Sequence, residues 1–210
     1  MHFTDLDCVT IDANGTLIGL VDPRPGLERG LLRHGVERSL DEIGVAFRTE
    51  IAHYRTRALD GRDSETVAQI RRECCGIFLD ALAAELAVDR YLPDFLGSFQ
   101  FEPEPEAVEV LTDLRRRDLA IAVVSNWDCS LDETLAQLGL TELVDLVITS
   151  AEAGAAKPDP RIFRCALERL AVTPQRALHI GDEECDRDGA IATGMLFAPA
   201  PLATAFEGWK

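Results

Sequence analysis

The chain opens with a short apolar run, Cys8-Val9-Thr10-Ile11, which is too short for a helix and ends at Asp12. Asn14-Gly15 follows at once and signals a turn. Such a run is typical of a strand that is buried on both faces, as in a parallel sheet. The pattern therefore predicts that Asp12 lies at the carboxyl end of a strand, where open α/β sheets bind their ligands.

The second half of the chain alternates strongly between apolar runs and amphipathic stretches. Strands are predicted over residues 119–125, 144–149, 177–181 and 195–198. Helices are predicted over residues 106–117, 131–138, 159–170 and 184–193, with Gly139 and Gly194 as stop signals. This alternation predicts an α/β fold with a Rossmann-like, doubly wound parallel sheet, which the strand at residues 6–12 joins. The stretch after Pro199 is expected to be a loosely held tail.

Residues 19–100 have a different pattern, which is helical without a convincing strand. Ser39 and Glu42 form a capping box for a helix to about residue 59, and a second helix is predicted over residues 64–88. A shorter helical piece spans 91–99, and Pro-rich linkers bracket the whole segment. We therefore predict a core of residues 1–18 and 101–210 with a helical insert of residues 19–100.

Composition excludes several classes of function. The net charge of −16 argues against a nucleic-acid partner, because nucleic-acid phosphates demand a basic surface. There is no apolar run of about 18 residues and no secretory leader, so we expect no membrane partner and a cytoplasmic location. The six cysteines lack zinc-site spacing and read as reduced thiols. The sequence does not decide between a monomer and a homodimer.

Polar residues recur where the predicted strands end. Asp12, Ser125, Lys157 and Asp182 occupy successive strand ends or the loops that follow them, and Asp186 lies one helical turn beyond Asp182. Because parallel strands finish at one edge, we expect these side chains to meet there. Three carboxylates would repel one another without a cation, and Mg²⁺ prefers oxygen ligands. The pattern predicts a magnesium-assisted displacement with Asp12 as the nucleophile, stabilised by Lys157 and Ser125.

At these residues the sequence resembles the haloacid dehalogenase-like hydrolases. The resemblance rests on Asp12-Ala13-Asn14-Gly15-Thr16-Leu17, Ser125-Asn126, Lys157-Pro158-Asp159-Pro160 and Gly181-Asp182 with Asp186, in that order. It implies Mg²⁺ held by Asp12, by the backbone carbonyl of residue 14 and by Asp182, with Asp186 as a further ligand or a partner of the ligands. It also implies that the helical insert is the first-type cap of the family. Gly15, Thr16 and Asn126 are expected to contact the substrate, a small phosphorylated molecule.

The sequence departs from the family pattern at Asn14, where phosphatases of the family carry a second aspartate as general acid and base. An amide cannot shuttle a proton, which typically costs about 10²–10⁴-fold in rate. Two alternatives therefore stay open. The first is a 2-haloacid dehalogenase, in which Arg48, followed by Tyr54, would hold the halide or carboxylate. The second is a catalytically weak or silent binding protein with the same fold.

Overall fold

The computed structural model describes residues 2–207 and 209. The strands in chain order are β1 (Cys8–Ile11), β2 (Ile18–Leu20), β3 (Phe101–Pro103), β4 (Ala120–Ser125), β5 (Leu146–Thr149), β6 (Ala177–Gly181) and β7 (Leu196–Pro199). Within the described residues, one sheet of five parallel strands has the order β5-β4-β1-β6-β7. This confirms the prediction of a Rossmann-like parallel sheet, with β1 at its centre.

The helices in chain order are α1 (Arg24–Arg33), α2 (Leu40–Arg57), α3 (Ser64–Ala81), α4 (Val88–Gly97), α5 (Ala107–Arg116), α6 (Leu131–Gln137), α7 (Ser150–Ala153), α8 (Pro160–Leu170) and α9 (Glu184–Thr193). The last two begin and end where the sequence signals predict, since the Asp159 side chain caps α8 and Gly194 terminates α9 in the left-handed conformation. Among the described helices, none combines the length and the apolarity needed to cross a bilayer.

Both faces of the sheet are covered, which explains why β1 is fully buried. Val9 and Ile11 pack into a cluster with Leu111 of α5. Cys8 points to the opposite face and joins a second cluster with Phe163 of α8. Successive residues of a strand face opposite sides, so an uninterrupted apolar run is what a sheet between two helical layers requires.

The helices α1–α4 surround an apolar cluster of their own, which includes Leu31, Ile43, Ile70 and Phe78. The predicted capping box is present at the start of α2: the Glu42 N–H donates to Ser39 Oγ over 3.3 Å, and the Ser39 N–H donates to Glu42 Oε2 over 2.8 Å. These contacts satisfy backbone donors at the helix start that have no partner within the helix.

The predicted single helix over residues 64–88 is wrong, because α3 ends at Ala81. Ala83 adopts a left-handed conformation with φ of 48°, and the Ala84 N–H closes the helix end on the Leu79 carbonyl. The guanidinium of Arg38 donates to the Leu82 carbonyl over 2.9 and 3.0 Å. This contact comes from a distant part of the sequence, so helical spacing alone could not reveal the break.

The joints of the helical segment are not free linkers. β2 and β3 pair antiparallel, with Ile18 opposite Pro103 and Leu20 opposite Phe101. The sequence predicts linkers here because each strand is only three residues long and carries too little pattern to indicate a strand. The pairing ties the entrance and the exit of the helical segment to each other.

The expectation of a loosely held C-terminal tail is also wrong. Leu202 is buried against the cluster around Val9, and the ring of Phe206 stacks on Phe3 with 5.3 Å between ring centroids. Trp209 contacts the same two rings at 5.5 and 5.6 Å. The apolar residues of this stretch therefore close one end of the core.

Candidate active site

The turn after β1 folds back tightly on itself. The Ile18 N–H donates to the Ala13 carbonyl over 2.9 Å, and the Gly15 N–H donates to the Ile18 carbonyl over 2.9 Å. Gly15 has a φ of +85°, and a Cβ at this position would lie 2.5 Å from Oδ2 of Asp182. Only glycine suits both requirements, so the turn can bring the residues after Asp12 close to the end of β6.

Lys157 connects two carboxylates at the edge of the sheet. Its ammonium nitrogen lies 2.5 Å from Oδ1 of Asp12 and 2.5 Å from Oδ1 of Asp186, and only 5% of the lysine is exposed. Burial alone would lower the pKa of Lys157, but the charges of Asp12 and Asp186 raise it above its ordinary value. The lysine therefore stays charged and balances carboxylates that would otherwise repel each other.

Asn126 holds the loop that carries Lys157. Its amide nitrogen donates to the Lys157 carbonyl over 3.0 Å, and its amide oxygen accepts from the Lys157 N–H over 2.6 Å. These two bonds fix the backbone of Lys157 against the end of β4. Asn126 also lines the cavity described below, so it is placed to fix Lys157 as well as to meet a ligand.

A chain of hydrogen bonds behind the site was not predicted from the sequence. His179 Nε2 lies 2.9 Å from Oδ1 of Asp186, and His179 Nδ1 lies 2.8 Å from the hydroxyl of Thr10. Burial lowers the pKa of His179, so the ring is neutral and donates from Nε2 to the ionised carboxylate while Thr10 donates to Nδ1. Hydrogen bonding to His179, together with the Lys157 charge, lowers the pKa of Asp186 despite the opposing effect of burial.

The sequence contains one indication of these hydrogen bonds. Thr10 and His179 are polar residues inside runs that are otherwise apolar, and buried polar side chains need partners. In the structure they face each other in the register of β1 and β6. Their pairing could not be inferred without the strand order, because β1 and β6 are far apart in the sequence.

Three carboxylates at this edge could together hold a metal ion. One oxygen each of Asp12, Asp182 and Asp186 lies within 4.8 Å of the others. Partial burial, followed by the charge of Asp12, raises the pKa of Asp182, so a cation beside it would favour its ionised form. The oxygens of Asp186 already accept hydrogen bonds from Lys157, His179 and the Glu183 N–H. Asp12 and Asp182 therefore fit a hard cation best, and Asp186 orients Lys157.

Asp12 and Asp186 line a cavity of about 790 Å³, which Asp182 does not line. From the sheet edge it is lined by Asp12, Asn14, Ser125, Asn126, Lys157 and Asp186. From the helical segment it is lined by residues of α2 and α3, among them Glu50, Tyr54 and Arg71. The cavity is thus bounded by the strand ends on one side and by the inserted helices on the other.

Three of the four predicted substrate contacts, Arg48, Gly15 and Thr16, do not line the cavity. Arg48 is exposed on α2 and does not line the cavity, whereas Glu50 does, because residues two apart on a helix face different directions. Thr16 is buried behind the turn, and its hydroxyl has no hydrogen-bond partner among the described residues. The structure therefore does not bring the side chains of Arg48 and Thr16 to the site.

A parallel sheet with an acidic strand end, a buried lysine and an inserted helical segment defines a haloacid dehalogenase-like architecture. A sequence model of that family, described as haloacid dehalogenase-like hydrolase, matches residues 6–194. The chain therefore belongs to the haloacid dehalogenase-like hydrolases.

Comparisons with individual proteins agree with this family. The chain is 44% identical over 117 residues to haloacid dehalogenase-like hydrolase domain-containing protein 3 of Mus musculus, which covers 55% of this chain and 47% of that protein. It is 42% identical over 93 residues to the phosphoserine phosphatase of Thermus thermophilus, covering 43% of this chain and 37% of the relative. The aligned segments thus span less than half of either relative's length.

The fold is also similar to that of a solved dehalogenase. The L-2-haloacid dehalogenase of Xanthobacter autotrophicus superposes with a TM-score of 0.68 at 26% identity, covering 93% of this chain and 77% of that structure. The chain is thus similar both to a phosphatase and to a dehalogenase, and these comparisons do not decide between the two reaction types.

Proposed function

We propose that the protein is a magnesium-dependent phosphatase that hydrolyses a small phosphorylated metabolite through a covalent intermediate on Asp12. The observation that carries the proposal is the ion pair between Lys157 and Asp12 at the base of the cavity, next to the carboxylate of Asp182. Lys157 pairs with Asp12 and offsets the charge of an incoming phosphoryl group. The identity to a phosphoserine phosphatase supports the phosphatase reading.

Magnesium would be held by Asp12, Asp182 and the backbone carbonyl of Asn14. Mg²⁺ commonly binds through one or two carboxylates and keeps several waters, which suits this donor set. When bound, the ion supplies positive charge to the oxygens of the transferred phosphoryl group. Asp186 would hold Lys157 in place, because its oxygens are engaged with Lys157, His179 and the Glu183 N–H.

The residues of the chain account for the remaining steps. A carboxylate oxygen of Asp12 attacks phosphorus, and the bond from phosphorus to the leaving oxygen breaks. Ser125 donates to a phosphoryl oxygen and Lys157 adds its charge, whereas the N–H groups of Gly15 and Thr16 already donate to carbonyls within the turn. Water then hydrolyses the acyl phosphate, which releases phosphate and restores Asp12.

Asn14 determines which leaving groups the site can expel. The amide can donate a hydrogen bond to the leaving oxygen, but it cannot protonate it. The loss of about 10²–10⁴-fold corresponds to roughly 3–5 kcal/mol of barrier and applies to alkyl leaving groups, which need the proton. Aryl and acyl phosphates expel a more stable anion, so we expect the site to act on them.

A parallel assay tests this proposal. Wild type, Asp12→Asn and Asn14→Asp are compared on an aryl and an alkyl phosphate, with Mg²⁺ or with EDTA. We expect wild-type activity with Mg²⁺ on the aryl phosphate alone, no activity of Asp12→Asn, and hydrolysis of both substrates by Asn14→Asp. Equal wild-type rates on the two substrates, or equal rates with EDTA, would contradict the proposal.

A 2-haloacid dehalogenase is the second candidate, favoured by the absence of an aspartate at position 14 and by the fold of the Xanthobacter enzyme. In that reaction Asp12 would attack carbon and halide would leave without a proton. Chloride release from 2-chloropropionate in EDTA would support it. No turnover in either assay, with activity restored by Asn14→Asp, would instead indicate a silent binding protein.

We further propose the division into a core of residues 1–18 and 101–210 and a cap of residues 19–100. Separate apolar clusters in the two parts and the β2–β3 pairing at their junction support it. The α2 helix contacts the core through Tyr54, which donates to Asp128 Oδ2 over 3.0 Å, and through an ion pair of Arg55 with Glu183 at 2.7 Å. In this arrangement the cap supplies the wall of the cavity that faces the leaving group.

A further inference from the structure

The cap side of the cavity carries a group of polar residues that the reaction above does not use. Glu50 and Tyr54 lie four residues apart on α2, and Arg71 and Cys74 lie three residues apart on α3. These spacings place each pair on one face of its helix, and all four residues line the cavity. The two helices pack against each other, so they present these polar residues side by side.

Glu50 is unusual because a glutamate side chain is seldom buried without a cation beside it. Only 6% of the residue is exposed, and it forms no ion pair among residues 2–207 and 209. Burial raises the pKa of Glu50 to about 7, opposed by the hydrogen bond from Cys74. An amine or hydroxyl of a bound molecule would supply the donor that this carboxyl lacks.

Arg71 offers the opposite charge on the neighbouring helix. It is half-buried and forms no ion pair within the described part of the chain, whereas the adjacent Arg72 pairs with Asp89. Arg71 lines the same cavity as Glu50 and Tyr54. A guanidinium without a carboxylate partner is suited to a carboxylate of the ligand.

Aromatic rings line further parts of the cavity wall, on the cap and on the core. Phe47 and Phe95 pack against Phe99 with ring centroids 5.7 and 4.9 Å apart, and Phe101 packs against Trp127 at 5.3 Å. All five rings line the cavity. Such a wall accommodates a flat apolar group between the polar residues of the cap and the strand ends of the core.

We propose that Glu50 and Arg71 bind the leaving group of an aryl phosphate monoester that carries both an amine and a carboxylate. The inference rests on the proposed phosphatase function, which supplies the phosphoryl site at Asp12. Glu50 accepts from the ammonium, Arg71 donates to the carboxylate, and the aromatic wall packs against the aryl ring. The preference for an aryl group also agrees with Asn14, which cannot protonate an alkoxide.

The test compares four substrates that differ only at the far end. O-phospho-L-tyrosine carries both the amine and the carboxylate, and phenyl phosphate carries neither. Tyramine phosphate carries only the amine, and phosphorylated 3-(4-hydroxyphenyl)propionate carries only the carboxylate. Glu50→Gln should lower kcat/KM about ten- to hundredfold for the two amines, and Arg71→Gln should do so for the two carboxylates. The kcat/KM for phenyl phosphate should change less than about threefold in both variants. Arg72→Gln should leave kcat/KM unchanged for all four substrates.

A binding measurement separates this inference from the proposed reaction. Calorimetry with Asp12→Asn and Mg²⁺ should show O-phospho-L-tyrosine binding at least about ten times more tightly than phenyl phosphate, with the difference removed by Glu50→Gln or Arg71→Gln. If this holds while wild type hydrolyses none of the substrates, the reaction is wrong and the recognition stands. If phenyl phosphate is hydrolysed but neither assay shows a preference, or the variants lose all substrates equally, the recognition is wrong and the reaction stands.

Discussion

Gly15 and Asp182 approach so closely that no side chain fits between them: a Cβ on Gly15 would lie 2.5 Å from Oδ2 of Asp182. The contact links the turn after Asp12 to the carboxylate that we propose holds the metal. Any side chain at position 15 would have to displace the Asp182 carboxylate.

Gly15→Ala should therefore weaken magnesium activation. We expect the Mg²⁺ concentration for half-maximal activity to rise by about tenfold or more, a cost typical of displacing a residue around a metal site. Gly35→Ala is the matched control, because Gly35 also has a positive φ, of 78°, but nothing lies within 4 Å of its Cβ position. Both variants carry a backbone strain of roughly 1 kcal/mol, so an equal effect on magnesium activation would contradict the role of the Gly15–Asp182 contact.

Removing the buried ammonium should be costly for stability as well as for activity. Lys157→Met leaves the carboxylates of Asp12 and Asp186 without their cation, and we expect a loss of about 3–5 kcal/mol in the free energy of unfolding without Mg²⁺. Added Mg²⁺ should recover part of it. Arg161→Met removes an exposed partner of Asp159 and should leave unfolding and turnover unchanged. Denaturant unfolding of the two variants measures the difference, and similar curves would show that Lys157 does not balance the site.

Glu50 should make stability depend on pH. Its pKa is raised from 4.5 to about 7 in the folded chain, so the folded state binds more protons than the unfolded state between these values. Stability contributed by the protonated carboxyl is complete below about pH 4.5 and is lost as the pH rises towards 7, by an amount on the order of 2–3 kcal/mol. The variant Glu50→Gln cannot ionise at this position, so its unfolding free energy should not fall in this way.

The measurement is the difference in unfolding free energy between Glu50→Gln and wild type from pH 4.5 to 8. It should grow in favour of the variant up to about pH 7 and then level off. Glu37→Gln, which changes an exposed glutamate of the cap, is the control and should show no such trend. A constant difference for Glu50→Gln across the range would mean that the carboxyl is already ionised at low pH.

The sheet and its acidic edge could be predicted because the decisive signals are local. A fully buried strand is apolar at every position, so β1 was visible from four residues and Asp12 from the turn that follows. The loop of Lys157 and the start of α9 carry their own caps and turns. For these elements the sequence pattern and the structure agree because neighbours in the chain determine them.

What could not be predicted depends on contacts between distant segments. The hydrogen bond between Thr10 and His179 requires the pairing of β1 with β6, and the end of α3 depends on Arg38. Glu50 reads as an ordinary charged residue of a helix until α3 is seen to bury it. The sequence predicts Arg48 as the residue of α2 that faces the site, whereas Glu50, two positions further on, lines the cavity. The sequence alone does not show which face of α2 meets the core.

The most direct test of the account is whether Asp12 becomes phosphorylated during turnover. Because Asn14 cannot activate water, hydrolysis of the acyl phosphate should be slow, and the intermediate should accumulate. Acid quenching of wild type with an aryl phosphate and Mg²⁺, followed by peptide mass mapping, should find a phosphoryl group on Asp12, and less of it in Asn14→Asp. Phosphate release by Asp12→Asn at the wild-type rate, with no phosphorylated peptide at any time, would contradict the account.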